Sequence, residues 1–335
     1  MSYPADGLAS DAADGEKHRR PLVSVCVTTF NHERYIRACL LSVLAQDAAV
    51  DLEILVGNDM SEDGTGALVD ELAEHHPGQV IHIRHTTRHG GAANLQSLVA
   101  RSRGDFVAHL DGDDYWLPGK LREQLAILAR CPEAAAVYSN AIVVDCDDAM
   151  VGTFNNRLDG MFDLAAILRR GNFLNHSSLL YRGCWRDLVA SLPAGYLDYN
   201  VHLMLAQYGD LAYVGKPLVV YRLGTPTSVI ATVNDSIRAR YWAAICSVPA
   251  GRVTDSVLTS AVADFLRRVA FRAVRIRQPR LFTRWWPPAA EVAPASRVML
   301  AAMVFMHVIR ELGRQLMQAV GSRLSGTPMR VLYFR

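Results

Sequence analysis

No Cys-x-x-Cys pair occurs in this chain of 335 residues. Its six cysteines, Cys26, Cys39, Cys131, Cys146, Cys184 and Cys246, are scattered, several within apolar runs. That pattern suits reduced core thiols and argues against a disulfide framework or a zinc site. No run reaches the roughly 20 apolar residues of a membrane span. The opening Met-Ser-Tyr-Pro-Ala-Asp-Gly lacks the basic start and apolar core of a signal peptide, so a cytoplasmic location is expected. No Gly-x-Gly-x-x-Gly follows the first strand-like run, and no Gly-x-x-x-x-Gly-Lys-Ser/Thr occurs anywhere. These gaps count against a nicotinamide dehydrogenase and a P-loop NTPase. Any phosphate bound here would be neutralised by metal rather than by a glycine cradle.

What is present divides unevenly by charge. Half the residues are hydrophobic, enough for a sizeable core, and the net charge is only +2. Residues 236–335, however, hold 16 Lys or Arg against 4 Asp or Glu, a balance of +12. Residues 1–235 hold 19 against 29, a balance of −10. The expected organisation is a polar, disordered leader over 1–20, an acidic catalytic domain over 21–230 and a basic, mainly helical region over 236–335.

Leu22 to Thr28 is near-continuously apolar, as a strand buried on both faces of a parallel sheet should be. Asn31 is a candidate N-cap for a helix of about 14 residues carrying Ile36, Leu40, Val43 and Leu44 on its core face. Strands over Leu52–Val56 and Gln79–Arg84 alternate with helices over Ala67–His75 and Ala93–Ala100. That alternation predicts an α/β fold, a Rossmann-like, mostly parallel sheet flanked by helices.

The strand Phe106 to Leu110 runs directly into Asp111, Asp113 and Asp114. Crowded carboxylates repel and call for a cation, a basic partner or water. At the carboxyl end of a strand in an open sheet they stand where ligands bind, and hard oxygen ligands suit Mg²⁺ or Mn²⁺. An acidic turn leading into the next helix is the plainer reading of these residues alone. Further on, Asp145, Asp147 and Asp148 read as a solvated hairpin turn, Phe162–Arg170 as a helix, and Leu179–Tyr181 as a strand. Asp198 leads another helix, either as a capping acid or as a functional one.

Three segments together carry a resemblance. Val23-Ser24-Val25-Cys26-Val27-Thr28-Thr29-Phe30-Asn31 resembles the opening strand of family 2 glycosyltransferases. Asn58-Asp59-Met60-Ser61-Glu62-Asp63-Gly64-Thr65 is similar to their second-strand signature, and Leu110-Asp111-Gly112-Asp113-Asp114-Tyr115-Trp116 to their metal-binding motif. The resemblance covers about residues 22–225. It implies the GT-A fold, an inverting reaction, a nucleotide-sugar donor such as a UDP-sugar, and a divalent metal, Mn²⁺ or Mg²⁺.

Position by position, the resemblance places Thr28 and Phe30 at the nucleobase. Asp59 matches the second acid of a paired-Asp motif that contacts base and ribose, with Asn58 in place of the first. Asp111 and Asp113 match the Asp-x-Asp, Asp111 on the nucleotide side and Asp113 as the direct metal ligand. Asp114, Asn175 and His176 fall on the acceptor side. Asp198 matches the helix-leading catalytic carboxylate. Arg222 and the loop Gly224–Ser228 fall where the family's closing segment folds over the diphosphate.

The implied activity is transfer of a sugar to a hydroxyl of a glycan or lipid-linked acceptor in cell-surface polysaccharide synthesis. A second reading is an idle nucleotide-sugar-binding or scaffold subunit that keeps the fold, with Asn58 as its support. In the tail, Val262–Ile276 carries Phe265, Leu266, Val269 and Ala270 on one side and Arg267, Arg268, Arg272 and Arg275 around the rest. Trp285-Trp286-Pro287-Pro288 is expected to interrupt the helical run, and Val298–Ile309 is too short to span a bilayer. The tail therefore fits peripheral attachment to the inner face of an anionic membrane, helices packed on the catalytic domain, or a homo-oligomer interface. No nucleic-acid-binding motif accompanies the charge.

Overall fold

A computed structural model describes residues 19–224, 235–325 and 330–333. The leader up to residue 18 and loop residues 225–230 lie outside the described residues.

The first half of the chain alternates strand and helix: β1 (Leu22–Thr29), α1 (Ile36–Leu44), β2 (Asp51–Asn58), α2 (Thr65–His75), β3 (Val80–Arg84), α3 (Gly91–Arg101) and β4 (Phe106–Asp111). Val23, Val25, Cys26 and Val27 are fully buried, because helices cover both faces of the sheet. β2 and β4 flank β1 in parallel, and β3 lies parallel outside β2. The register matters for function. Thr28 lies opposite both Gly57 and Asp111, so three strands end at the same level. Ligands of open parallel sheets sit at that carboxyl edge.

Then come β5 (Tyr115–Trp116), α4 (Lys120–Arg130), β6 (Ala134–Val144), β7 (Met150–Asn155), β8 (Gly160–Phe162), α5 (Leu164–Arg170), β9 (Leu180–Arg182), α6 (Arg186–Ala190), α7 (Asp198–Leu205) and β10 (Asp210–Arg222). Beyond β4 the sheet reverses: β9 pairs antiparallel with both β4 and β6. β10 runs parallel along β6 and also pairs antiparallel with β5 and β8.

The tail supplies α8 (Asp235–Cys246), α9 (Asp255–Arg275), α10 (Arg280–Val292) and α11 (Arg297–Ser325). α9 packs on α5, and α10 and α11 pack on α9. Tyr199 of α7 stacks on Tyr241 of α8 at 4.6 Å, and Phe265 of α9 meets Trp285 of α10 at 5.2 Å. The tail thus shares apolar core with the sheet's helices. It ends in β11 (Arg330–Tyr333), which pairs parallel with β7, and the ring of Tyr333 rests on Phe154.

Several local expectations change. Asn31 does not cap α1, which has nine residues and Tyr35 at its cap. Asn31 instead turns left-handed at φ 53°, and its Oδ1 accepts from the Glu62 amide at 2.8 Å. α5 starts after Asp163, whose carboxylate accepts the Ala166 N–H, so Phe162 ends β8 instead. Pro287 and Pro288 lie inside α10 and do not interrupt it. The carbonyls they leave without donors belong to Thr283 and Arg284, both on the exposed side. The turn Asp145–Asp148 is docked rather than merely solvated. Arg34 pairs with Asp147, the Tyr35 hydroxyl donates to the Cys146 carbonyl, and Arg222 pairs with Asp148. Arg267 is buried between Asp264 and Glu311, so the charges of α9 are not all presented outward.

Candidate active site

The strand tips are sewn together by short polar side chains. Thr28 Oγ1 donates to Asp111 Oδ1 at 3.0 Å, linking β1 to β4. The Asp59 N–H donates to the Thr29 carbonyl at 3.0 Å, linking β2 to β1. Both carboxylate oxygens of Asp59 accept backbone N–H groups, from His89 at 2.7 Å and Gly90 at 2.8 Å. Asp59 thereby anchors the loop between β3 and α3. That loop lays the guanidinium of Arg88 over the Phe30 ring at 3.6 Å. Asn58 Oδ1 accepts from the Ser61 amide at 2.9 Å and shapes the turn after β2.

The acidic turn after β4 is held from all sides. Gly112 donates its N–H to the Thr28 carbonyl at 2.8 Å. A Cβ at Gly112 would sit 2.9 Å from His32 Nδ1 and 3.0 Å from the Thr28 oxygen, so any larger residue would have to push its neighbours aside. His32 Nε2 lies 4.0 Å from Asp113 Oδ2. Burial holds the His32 imidazole below its ordinary value, against the pull of Asp113 and Asp63. Asp114 is spent on the fold. Its Oδ2 accepts from the Ser177 hydroxyl at 2.5 Å and its Oδ1 from the Arg222 N–H at 2.8 Å. Burial, then the charges of Asp113 and Asp111, push its carboxyl well up. The buried guanidinium of Arg222 is likewise occupied, donating to the carbonyls of Asp113 and Asp145 and to the Asp148 carboxylate.

Asp111 is the hub. Burial pushes its carboxyl up to about 6, reinforced by the charges of Asp113 and Asp198 and opposed by His176. The charge of Asp198 is thus felt at the end of β4. Asp198 is the first residue of α7, but the cap position belongs to Leu197, and Asn200 Oδ1 accepts the Leu197 N–H at 2.9 Å. The Asp198 carboxylate is exposed and, among the described residues, makes no hydrogen bond.

Next to Asp111 lies a run of buried polar rings. His109 Nδ1 and His176 Nε2 are 3.0 Å apart, and the rings of His176 and His202 follow at 5.8 Å. The hydroxyls of Tyr138 and Tyr196 are pushed up, first by burial and then by the charge of Asp198. Those two hydroxyls, Asn175 Oδ1, His176 Nδ1 and both ring nitrogens of His202 are buried without a hydrogen-bond partner among the described residues. Buried polar atoms normally find partners. A ligand rich in hydroxyl groups would supply them.

The model of the family described as "Glycosyl transferase family 2" matches residues 24–177. Residues 24–177 form a family 2 glycosyltransferase domain.

An uncharacterized protein of Mycobacterium tuberculosis is 31% identical over 205 residues, 60% of this chain and 58% of that one. Chondroitin synthase of Pasteurella multocida is 30% identical over 205 residues, 61% of this chain but 21% of the relative. The chain thus spans less than two thirds of these relatives. Among solved structures, S. aureus TarS 1–349 in complex with UDP-GlcNAc superposes with a TM-score of 0.61 at 15% identity, covering 88% of this chain and 91% of that one. That likeness shows the fold, which is GT-A.

In the glycosyltransferase domain the sheet edge gathers Thr28, Phe30, Asn58, Asp59, Asp111, Asp113 and Asp114, and the β9 approach adds Asn175 and His176. The described residues contain no group of three or more His, Cys, Asp or Glu that could hold a metal by themselves. The donor set still fits Mg²⁺ or Mn²⁺, which are held by one or two carboxylates together with substrate phosphates. The mutual repulsion of Asp111 and Asp113 is what such a cation would relieve. Sequence reading missed His32, Arg88, Tyr138, Tyr196 and His202. None lies in a recognisable motif, and only folding brings them to the edge.

Proposed function

We propose that this protein is an inverting, metal-dependent glycosyltransferase that moves a sugar from a nucleoside-diphosphate donor to a hydroxyl of a glycan or lipid-linked acceptor. The observation that carries this reading is that the charge of Asp198 acts on Asp111, beside a cluster of buried polar groups that lack partners among the described residues. Residues 21–230 would form the catalytic domain and 236–335 the accessory region.

In this reading the nucleobase stacks on Phe30, whose ring already carries the Arg88 guanidinium. Thr28 and Asp111 line the ribose and phosphate side. Asn58 and Asp59 hold the loops that wall the nucleoside, with Arg88 carried by the loop that Asp59 anchors. Asp113 and Asp111 would hold the divalent cation, which supplies charge neutralisation for the departing diphosphate. Asp114 and Arg222 keep that turn in place through Ser177 and Asp148.

An acceptor hydroxyl is a weak nucleophile near neutral pH, so a positioned carboxylate must take its proton. Asp198, exposed at a helix start and free of a cap bond, is placed to do so. Attack on the face opposite the leaving diphosphate inverts the anomeric carbon. Asn175, His176, Tyr138 and Tyr196 line the hollow in which sugar hydroxyls would find partners. The relatives support polysaccharide synthesis as the setting; the basic charge of the tail supports a cytoplasmic enzyme that meets an anionic membrane face. Among the described residues no helix is long and apolar enough to cross a membrane.

The test is a donor-hydrolysis screen across UDP-, GDP- and dTDP-sugars with Mn²⁺, alongside calorimetry with the free nucleotides. Hydrolysis of one sugar class, abolished in Asp198→Asn while nucleotide binding persists, is expected. Nucleotide binding with no turnover of any donor would favour the idle scaffold instead.

A further inference from the structure

We propose that the cleft between α9, α10 and α11 seats an acyl chain of an anionic bilayer phospholipid, with its phosphate held by the arginines at the cleft mouth. The proposal rests on the reading of the tail as membrane-facing and names the site and the chemistry that would do it.

The cleft has a volume of about 1050 Å³ and is lined almost wholly by apolar side chains. Small residues such as Ala273 form its floor, Phe282, Trp286 and Phe305 its walls, and Arg277 is the single charge on its lining. That size and lining suit a hydrocarbon chain and leave little for a polar ligand to bond. The surface beside it is equally apolar. Val274 is 78% exposed, and on α11 Val298, Phe305 and Leu316 are 81%, 63% and 66% exposed. Val298, Phe305, Ile309, Leu312 and Leu316 recur every three or four residues or a multiple, so they share one helix face about 27 Å long. Proteins seldom leave such a face to water.

Charge decides what covers it. Arg275, Arg277 and Arg280 are exposed where α9 gives way to α10 and form no ion pair among the described residues. Of the four acids in the tail, Asp264 and Glu311 already pair with Arg267, Arg268 and Arg314. A second copy docked on this face would oppose two segments that each carry +12, whereas an anionic lipid surface complements both the apolar stripe and the arginines.

The experiment uses the full chain and vesicles of phosphatidylcholine with or without phosphatidylglycerol. Flotation with the phosphatidylglycerol vesicles, lost at high salt, is expected. Because Trp286 lines the cleft, phosphatidylglycerol brominated on its acyl chains should quench tryptophan emission, and Trp286→Phe should remove most of that quenching without abolishing flotation. Val274→Glu, at an exposed position that folding tolerates, should reduce both signals with an unchanged thermal melt. Arg277→Gln and Arg280→Gln should each weaken vesicle binding about fivefold. Flotation with quenching indifferent to Trp286→Phe and Val274→Glu overturns the cleft as the site while leaving the tail membrane-facing. Absence of flotation, or a concentration-dependent dimer that ignores the vesicles, overturns both.

Discussion

Arg222 and Asp148 meet at 2.6 Å, Nη2 to Oδ1, with the guanidinium 4% exposed and the carboxylate 56% exposed. This pair, with the bonds from Arg222 to the Asp113 and Asp145 carbonyls, clamps the acidic turn after β4 to the hairpin after β6. Arg222→Met removes every one of these donors from a buried site. A loss of about 3 kcal/mol is expected in urea denaturation, because buried acceptors are left unpaired. A stability equal to wild type would show that the clamp is incidental.

Asp198 tests the chemistry. Replacing the carboxylate by an amide of the same shape removes the proposed proton acceptor with little change of shape. Asp198→Asn should lower turnover about 10²–10⁴-fold with little change in donor affinity. Full activity in steady-state assays would move the base elsewhere.

Asp113 tests the cation. Its carboxylate faces His32 across 4.0 Å. Asp113→Asn should abolish the stabilisation expected of Mn²⁺ with UDP on wild type. Retention of that stabilisation, read by thermal shift, would place the cation on other ligands.

Phe30 tests the nucleoside wall. Phe30→Ala deletes the stacking face and strands Arg88, and nucleotide affinity in calorimetry should fall by about 1–3 kcal/mol. Unchanged affinity would mean that the base lies elsewhere.

The buried histidines make the fold acid-sensitive. Burial, with like charges nearby, holds His109 and His202 well below the ordinary imidazole value of 6.5. As pH falls through that value the unfolded chain takes up protons and the folded chain does not. The stability they contribute is present above pH 6.5 and is lost progressively below it, by up to about 1.4 kcal/mol per pH unit for each group. His202 packs edge-on against Tyr138 at 5.0 Å, a contact that phenylalanine can keep. His202→Phe should flatten the pH dependence of unfolding by about one proton between neutral pH and about pH 5. An identical slope in both proteins would assign the sensitivity to other groups.

Much of the fold was legible because its causes are local. The unbroken apolar runs at β1, β2 and β4 announce strands buried on both faces, and the helical spacing of Ile36, Leu40 and Val43 announces α1. Asp111 and Asp113 stood out because carboxylates crowd there directly after an apolar strand. Boundaries were less legible. Asn31 has the chemistry of a cap, yet its side chain is claimed by the Glu62 amide from the next loop. Pro287 and Pro288 look like breakers, yet an exposed helix side tolerates the missing bonds.

By itself the sequence determined the alternation of elements, the acidic strand end and the segregation of charge between the two halves, since each follows from neighbouring residues. Tertiary structure alone decided that the charge of Asp198, some 85 residues after Asp113, acts on Asp111, and that Asp114 and Arg222 serve as braces. It also decided that the rings of Tyr138 and His176 both meet His202 and that β11 returns to pair with β7. Those relations depend on which strand lies beside which. Pairing between distant segments is set by the burial of whole faces, which no local pattern of residues records.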